Sequence, residues 1–198
     1  MKELKFIHIS KTGGTSIENI GNKHNKKWGR FHIEYGRRHK KFNIQPLALR
    51  KKYNWFTIVR NPYTRIISEC SKFMERHNIK TKKIHKFNKL IRKFINRMLR
   101  IKKNSNYISV TGAHYTPQSE YIDDISTIHI IKYENLKTEF ENLMVKYKLN
   151  NIKLDKHHNK SIKLYNVKDL YPTTIELIKN AYLNDFILFN YSINPNDA

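Results

Sequence analysis

Two short stretches gather the residue types able to grip an anion. In KFIHISKTGGTSIEN, residues 5–19, an apolar run gives way to Lys11, Thr12, Gly13, Gly14, Thr15 and Ser16. A glycine-rich turn between a strand and a helix aims backbone N–H groups at one point, and the helix dipole adds partial positive charge there. Thr12, Thr15 and Ser16 bring hydroxyl donors and Lys11 a full cation, so the segment reads as a cradle for phosphate or sulfate. A Walker A loop sets its lysine after the second glycine, with Ser or Thr next. Here Lys11 precedes both glycines, which argues against an ordinary nucleoside triphosphatase.

The second stretch is WFTIVRNPYTRIISEC, residues 55–70. It too reads as a strand leading into a helix, with Arg60 at the carboxyl end of the strand. In a parallel sheet those ends share one edge, where ligands bind, so Arg60 is expected near the Lys11 loop. Ser68 follows two turns into the helix and can face the same side. An arginine fork with a hydroxyl makes a second phosphate clamp. Two anion sites on one edge suggest one ligand phosphorylated at two places.

The elements that must position these groups are legible in outline. Leu4 to Ile9 reads as a buried strand and Trp55 to Val59 as a second; Thr127 to Ile131 is the third. Thr15 or Ser16 is expected to cap a helix running toward Ile20. Residues 22–45 are basic, His-rich and irregular, and Gln45 to Tyr53 is a short helix with Pro46 in its first turn. A helix is expected from Pro62 to about Arg76, another from Lys83 to Ile101, another from Tyr133 to Tyr147 and a last one from Pro172 to Phe189. Residues 103–126 read as a loop. Strands alternating with helices predict an α/β fold: a single domain, 1–198, with a short central parallel sheet flanked by helices.

Composition limits the partners. The 198-residue chain carries a formal net charge of +23, which speaks to binding and not to fold. Between Glu75 and Glu120 there is no acidic residue and there are twelve Lys or Arg. In the Lys83–Ile101 helix, Phe87, Leu90, Ile91, Phe94, Ile95, Met98 and Leu99 form one face and the other is almost purely basic. Nucleic acid, an acidic polysaccharide, an anionic membrane or a highly charged nucleotide all suit such a surface, as does plain solvation. No run is apolar and long enough for a signal peptide or membrane span, and Cys70, the single cysteine, cannot form an internal disulfide. The chain therefore reads as soluble and cytoplasmic.

Together the two motifs resemble those of the sulfotransferases that use 3′-phosphoadenosine 5′-phosphosulfate (PAPS), nearest in pattern to carbohydrate sulfotransferases of the heparan 2-O and chondroitin/dermatan type. The likeness continues through HYTPQSEYI (114–122), IIKYENL (130–136), HHNKS (157–161) and YLNDFILFNY (182–191), nearly the whole chain in the family's order. The resemblance implies a P-loop-like nucleotide-binding core in which KTGGTS holds the 5′-phosphosulfate. Lys11 would stabilise the transferring group, the backbone of Gly13 to Ser16 would hold the 5′-phosphate, and Arg60 with Ser68 would hold the 3′-phosphate. Asn159, Lys160 and Ser161 would close over the nucleotide. The product would be adenosine 3′,5′-bisphosphate, and no metal is implied; His157 and His158 are adjacent and do not form a chelating pair. The acceptor would be a hydroxyl; the basic surface favours an anionic glycan, with a neutral sugar, a lipid-linked sugar or a tyrosyl peptide as the alternatives.

The acceptor's proton needs a base, and a histidine near neutral pKa suits that role. The resemblance points to the region between the two motifs, which offers His32 ahead of His39, with Glu34 as a further candidate; His114 is expected in the acceptor cleft. His8 reads as a buried, hydrogen-bonded residue, Arg65 as a helix-surface cation, KYENL as structural and Cys70 as packed. Two other classes compete. A P-loop-like kinase calls for an acidic magnesium ligand at a strand end, and none of the three strands ends in Asp or Glu. A basic nucleic-acid-binding protein would explain the Lys83–Ile101 helix and not the two strand–loop–helix motifs.

Overall fold

A computed structural model describes residues 2–32, 34, 41–103, 114–122, 125–154 and 164–198. His39, Ser161 and the rest of the HHNKS segment lie outside the described residues. The chain forms two compact units, Met1–Arg60 with Gln118–Asn159 and Asn61–Pro117 with Lys160–Ala198.

The first unit carries the sheet. Strands β1 (Leu4–Ile7), β2 (Asn54–Val59) and β3 (Ile128–Lys132) lie in that order, all parallel. β1 and β2 are almost wholly buried and read as unbroken apolar runs, as parallel strands covered on both faces do. Phe6 stands beside Phe56, and Ile58 beside Ile131. That face packs on Ile17 and Ile20 of helix α1 (Gly14–Lys23) and on Leu136, Phe140 and Leu143 of helix α5 (Leu136–Lys146). A short helix α2 (Leu47–Lys52) precedes β2. The expected α/β class and the short parallel sheet flanked by helices are both present.

Trp28 closes this core. Its side chain is buried, its Nε1 donates to the Leu4 carbonyl at 2.8 Å, and its ring lies where a Cβ on Gly21 would sit. Trp28→Ala removes the largest ring of this core and orphans that carbonyl. It should destabilise by about 3–5 kcal/mol, read as a lowered urea midpoint.

The second unit is helical: α3 (Pro62–Arg76), α4 (Ile84–Lys103), α6 (Pro172–Ala181) and α7 (Leu183–Leu188). Asn61 caps α3 by accepting the Tyr63 N–H at 2.9 Å, with Pro62 in the first turn. Phe87, Ile91, Phe94, Ile95 and Met98 of α4 are buried in one cluster with Ile66, Cys70, Ile178 and Phe186. Lys86, Lys89, Lys93, Arg97 and Arg100 of the same helix are exposed.

Several boundaries differ from expectation for physical reasons. β1 stops at Ile7, because its pairing with β2 ends there and the chain turns. Neither Thr15 nor Ser16 caps α1. Gly13, at φ +86°, makes the turn at no steric cost and becomes the cap itself, without any side-chain cap bond. The last helix is two helices: Tyr182 leaves helical geometry, and its buried hydroxyl donates to the Tyr115 carbonyl at 2.7 Å. KYENL opens as a 3-10 turn, Tyr133–Asn135, before α5.

Candidate anion-binding site

Three connections leave the carboxyl ends of β1, β2 and β3, and they converge. The first is the turn from His8 to Gly13. Lys11 has φ +65° and Gly13 φ +86°. A side chain in the left-handed region costs roughly 1–2 kcal/mol, so the surroundings must hold it there. Lys27, also at positive φ (+50°), lies in the connection that follows α1. Asn25, Asn78, Lys148 and Asn190 have positive φ too, but each lies two residues past a helix, where that conformation is the ordinary stop. Lys11 instead lies three residues ahead of one. Left-handed residues alternating with their neighbours fold successive N–H groups into an anion-binding concavity. Lys11, Gly13 and Thr15 are partly exposed while Thr12, Gly14 and Ser16 are buried.

Arg60 follows β2 directly. Its Nη1 donates to the Lys11 carbonyl at 3.3 Å, so the two cationic residues picked from sequence do meet. Its guanidinium carbon lies 4.3 Å from the centroid of the Tyr133 ring, at the end of β3. The same ring backs the loop, since a Cβ on Gly13 would stand 3.2 Å from Tyr133 Cε2. The backbone of Arg60 is clasped by Gln118, whose Oε1 accepts the Arg60 N–H and whose Nε2 donates to the Arg60 carbonyl, both at 2.8 Å.

Sequence reasoning missed Tyr133 and Gln118. Both stand inside quoted motifs, KYENL and HYTPQSEYI, but residue type gave no sign that one would stack on Arg60 and the other chelate its backbone.

Three expectations need correction. Thr12 does not present its hydroxyl as an anion donor: Oγ1 gives its proton to the Ile9 carbonyl at 2.8 Å, pinning the turn from within. His32 is not brought to the loop. Its ring sits 5.2 Å from Tyr53 and 5.9 Å from Trp55, at the amino-terminal end of β2. Five residues of strand separate Trp55 from Arg60, about 16 Å at ~3.3 Å per residue. Burial, followed by the nearby Lys5 charge, pushes the His32 pKa down and keeps the ring neutral, as a packed residue. Glu34 keeps company with α2 and not with Lys11. Lys52 Nζ donates to it at 2.8 Å, and that hydrogen bond holds its carboxyl below the usual range, which makes it a poor base.

In the second unit, Ser68 is a half-buried residue of α3. Arg65 is no surface cation: it is buried and donates to the Thr116 carbonyl at 3.0 Å. One turn further along, the buried Glu69 carboxylate lies 3.2 Å from His114 Nδ1. A carboxylate on one imidazole nitrogen fixes the ring and makes the other nitrogen the working one, the arrangement of many general bases. A pocket of about 460 Å³ in this unit is lined by Met74, Ile79, Thr81 and Tyr165 among others, and Ser68 is not among its lining residues. No described helix is long and apolar enough to cross a membrane, and the described residues hold no cluster of three His, Cys, Asp or Glu placed to share a metal.

A family model described as "Sulfotransferase family" matches residues 2–192. No curated protein and no solved structure gives a significant match.

Proposed function

The chain belongs to the sulfotransferase family, and on that footing we propose that it transfers a sulfuryl group from PAPS to a hydroxyl of a carbohydrate. One observation carries the choice of donor: the Arg60 guanidinium rests 3.3 Å from the Lys11 carbonyl, so two cationic anion-holding elements adjoin at one sheet edge. PAPS has two anionic ends joined by one adenosine. The strands themselves end in Ile7, Val59 and Lys132, which offers a magnesium-dependent kinase no acidic ligand there.

Residues 1–198 act in this reading as one sulfotransferase domain. The donor supplies the sulfur–oxygen bond that breaks, with adenosine 3′,5′-bisphosphate as the leaving product. Lys11 neutralises charge developing on the bridging oxygen, and the N–H groups of Gly13, Gly14, Thr15 and Ser16 hold the 5′-phosphate; such preorganised donors are usually the largest catalytic term. Thr12 keeps the turn in shape. Arg60 and Ser68 take the 3′-phosphate, and Ser161 closes on the nucleotide. The acceptor proton passes to His39, in the region between the two motifs; the surroundings of His32 and Glu34 do not suit the task. The exposed Lys and Arg of α4 favour an anionic glycan.

The deciding measurement is thermal stabilisation. At one hundred times its dissociation constant, adenosine 3′,5′-bisphosphate should add about 2.7 kcal/mol, or roughly 5–10 °C in Tm, while ATP with magnesium should add far less. Labelled sulfate transfer to a panel of glycans then identifies the acceptor. The basic face of α4 also favours a second reading, nucleic-acid binding. No shift with the bisphosphate, together with duplex DNA binding that weakens steeply with salt, would put that reading in first place.

A further inference from the structure

A buried imidazole–carboxylate pair lies directly behind the Lys11 loop, and the proposed chemistry does not use it. His8 is the first residue after β1 and Glu18 lies one turn into α1; both are buried, and Nδ1 of His8 is 2.8 Å from Oε1 of Glu18. The Arg30 N–H donates to the same Oε1 at 2.8 Å, and Arg30 Nε lies 3.6 Å from Oε2. Arg30 is fixed in turn by Asn19, whose Oδ1 accepts from Nη2 at 2.7 Å.

Two glycines make room for the pair. A Cβ on Gly14 would stand 2.3 Å from His8 Cδ2, and a Cβ on Gly29, at φ +56°, would stand 2.4 Å from Glu18 Oε1. A buried polar pair of this kind is a poor source of stability, because desolvation offsets the attraction, and apolar residues of the same volume would often do as well. What such a pair does supply is one defined orientation.

We infer that His8 is a positioning residue for the anion loop: Glu18 fixes the imidazole, and the ring, in contact with Gly14, fixes the direction of the first N–H groups of α1 and the left-handed turn that carries Lys11. Strained residues persist only where their surroundings over-determine them. Thr12 pins this turn from inside and Tyr133 from one side; His8 closes the back. The inference rests on the reading of the loop as the 5′-phosphosulfate cradle.

Two variants separate the ring from the charge. His8→Asn keeps an amide donor near the Nδ1 position but removes the ring edge behind Gly14. Glu18→Gln keeps the shape and removes the charge. Each is compared with wild type for adenosine 3′,5′-bisphosphate affinity by calorimetry, at a temperature where all are folded, and for the split between kcat and KM. The affinity should fall about tenfold in each, and kcat should fall with it. Adding Gly14→Ala to His8→Asn should then recover part of the loss, because the new methyl group enters the space the ring vacated, whereas Gly14→Ala alone should bind far more weakly than wild type. A purely structural pair would lower Tm and leave affinity unchanged. Should one variant fail to fold, the other decides. Wild-type affinity in the folded variants overturns the inference and leaves the cradle standing; a wild-type protein that does not bind the bisphosphate overturns the cradle itself.

Discussion

Lys11→Ala is expected to lower turnover by about three orders of magnitude while leaving the protein folded and able to bind adenosine 3′,5′-bisphosphate within a few-fold of wild type. Removing a single neutral donor from a preorganised anion site typically costs 10²–10³ in kcat, and Lys11 carries a full charge, so a loss of roughly 10³ follows. The bisphosphate keeps most of its affinity because the loop's backbone N–H groups and Arg60 remain. Backbone geometry adds a second handle. At φ +65°, alanine is as strained as lysine, so Lys11→Ala should be close to neutral in stability. Lys11→Gly relieves that strain and should stabilise by up to about 1 kcal/mol while being just as inactive. Higher stability with lost activity in one substitution is the expected mark of a residue held in an unfavourable conformation for chemistry. Initial rates of labelled sulfate transfer and urea midpoints for the two variants check both halves. Lys11→Ala retaining more than a tenth of wild-type turnover would remove the amine from the chemistry.

What the sequence made legible depends on how local each cause is. The glycine-rich turn, the strand preceding Arg60 and the two-faced α4 follow from residue type and spacing over a few positions, and they appear where expected. Pro62 and Asn61 mark the start of α3 for the same reason. Side-chain direction was harder to read. Thr12 and Thr15 look equivalent as donors, yet the left-handed residues on either side of Thr12 turn its hydroxyl back to Ile9. His32 shows a deeper difficulty: sequence order placed it between the two motifs, but nothing in that order says which rim of the sheet a connection reaches. Trp55 and Tyr53 gather it at the amino end. Arg65 reads as a surface charge on any helical wheel until the Thr116 and His114 carbonyls that receive it are known. Long-range partners of this kind, Gln118 and Tyr133 included, leave no local trace.

Arg60→Ala should abolish the protein's preference for a 3′-phosphate. A bidentate arginine contributes two charge-assisted hydrogen bonds, each worth about 1.5–3 kcal/mol, so affinity for adenosine 3′,5′-bisphosphate should fall at least about 100-fold. Affinity for adenosine 5′-phosphate, which lacks the group Arg60 would grip, should change little, and the ratio of the two is the quantity to measure. Gln118 holds the backbone of residue 60 and not its side chain, so the variant should keep its fold. Tyr133 provides the graded control. Arg60 rests over the ring face, so Tyr133→Phe should keep the selectivity, while Tyr133→Leu should lose part of it, as a cation–π contact worth about 0.5–2 kcal/mol predicts. Arg60→Lys retains the charge without the planar fork and should fall between wild type and alanine. An unchanged ratio in Arg60→Ala would make the guanidinium a structural tie to the Lys11 carbonyl and nothing more. The case for a donor with two phosphorylated ends would then lose its second anchor, even with the Lys11 loop intact.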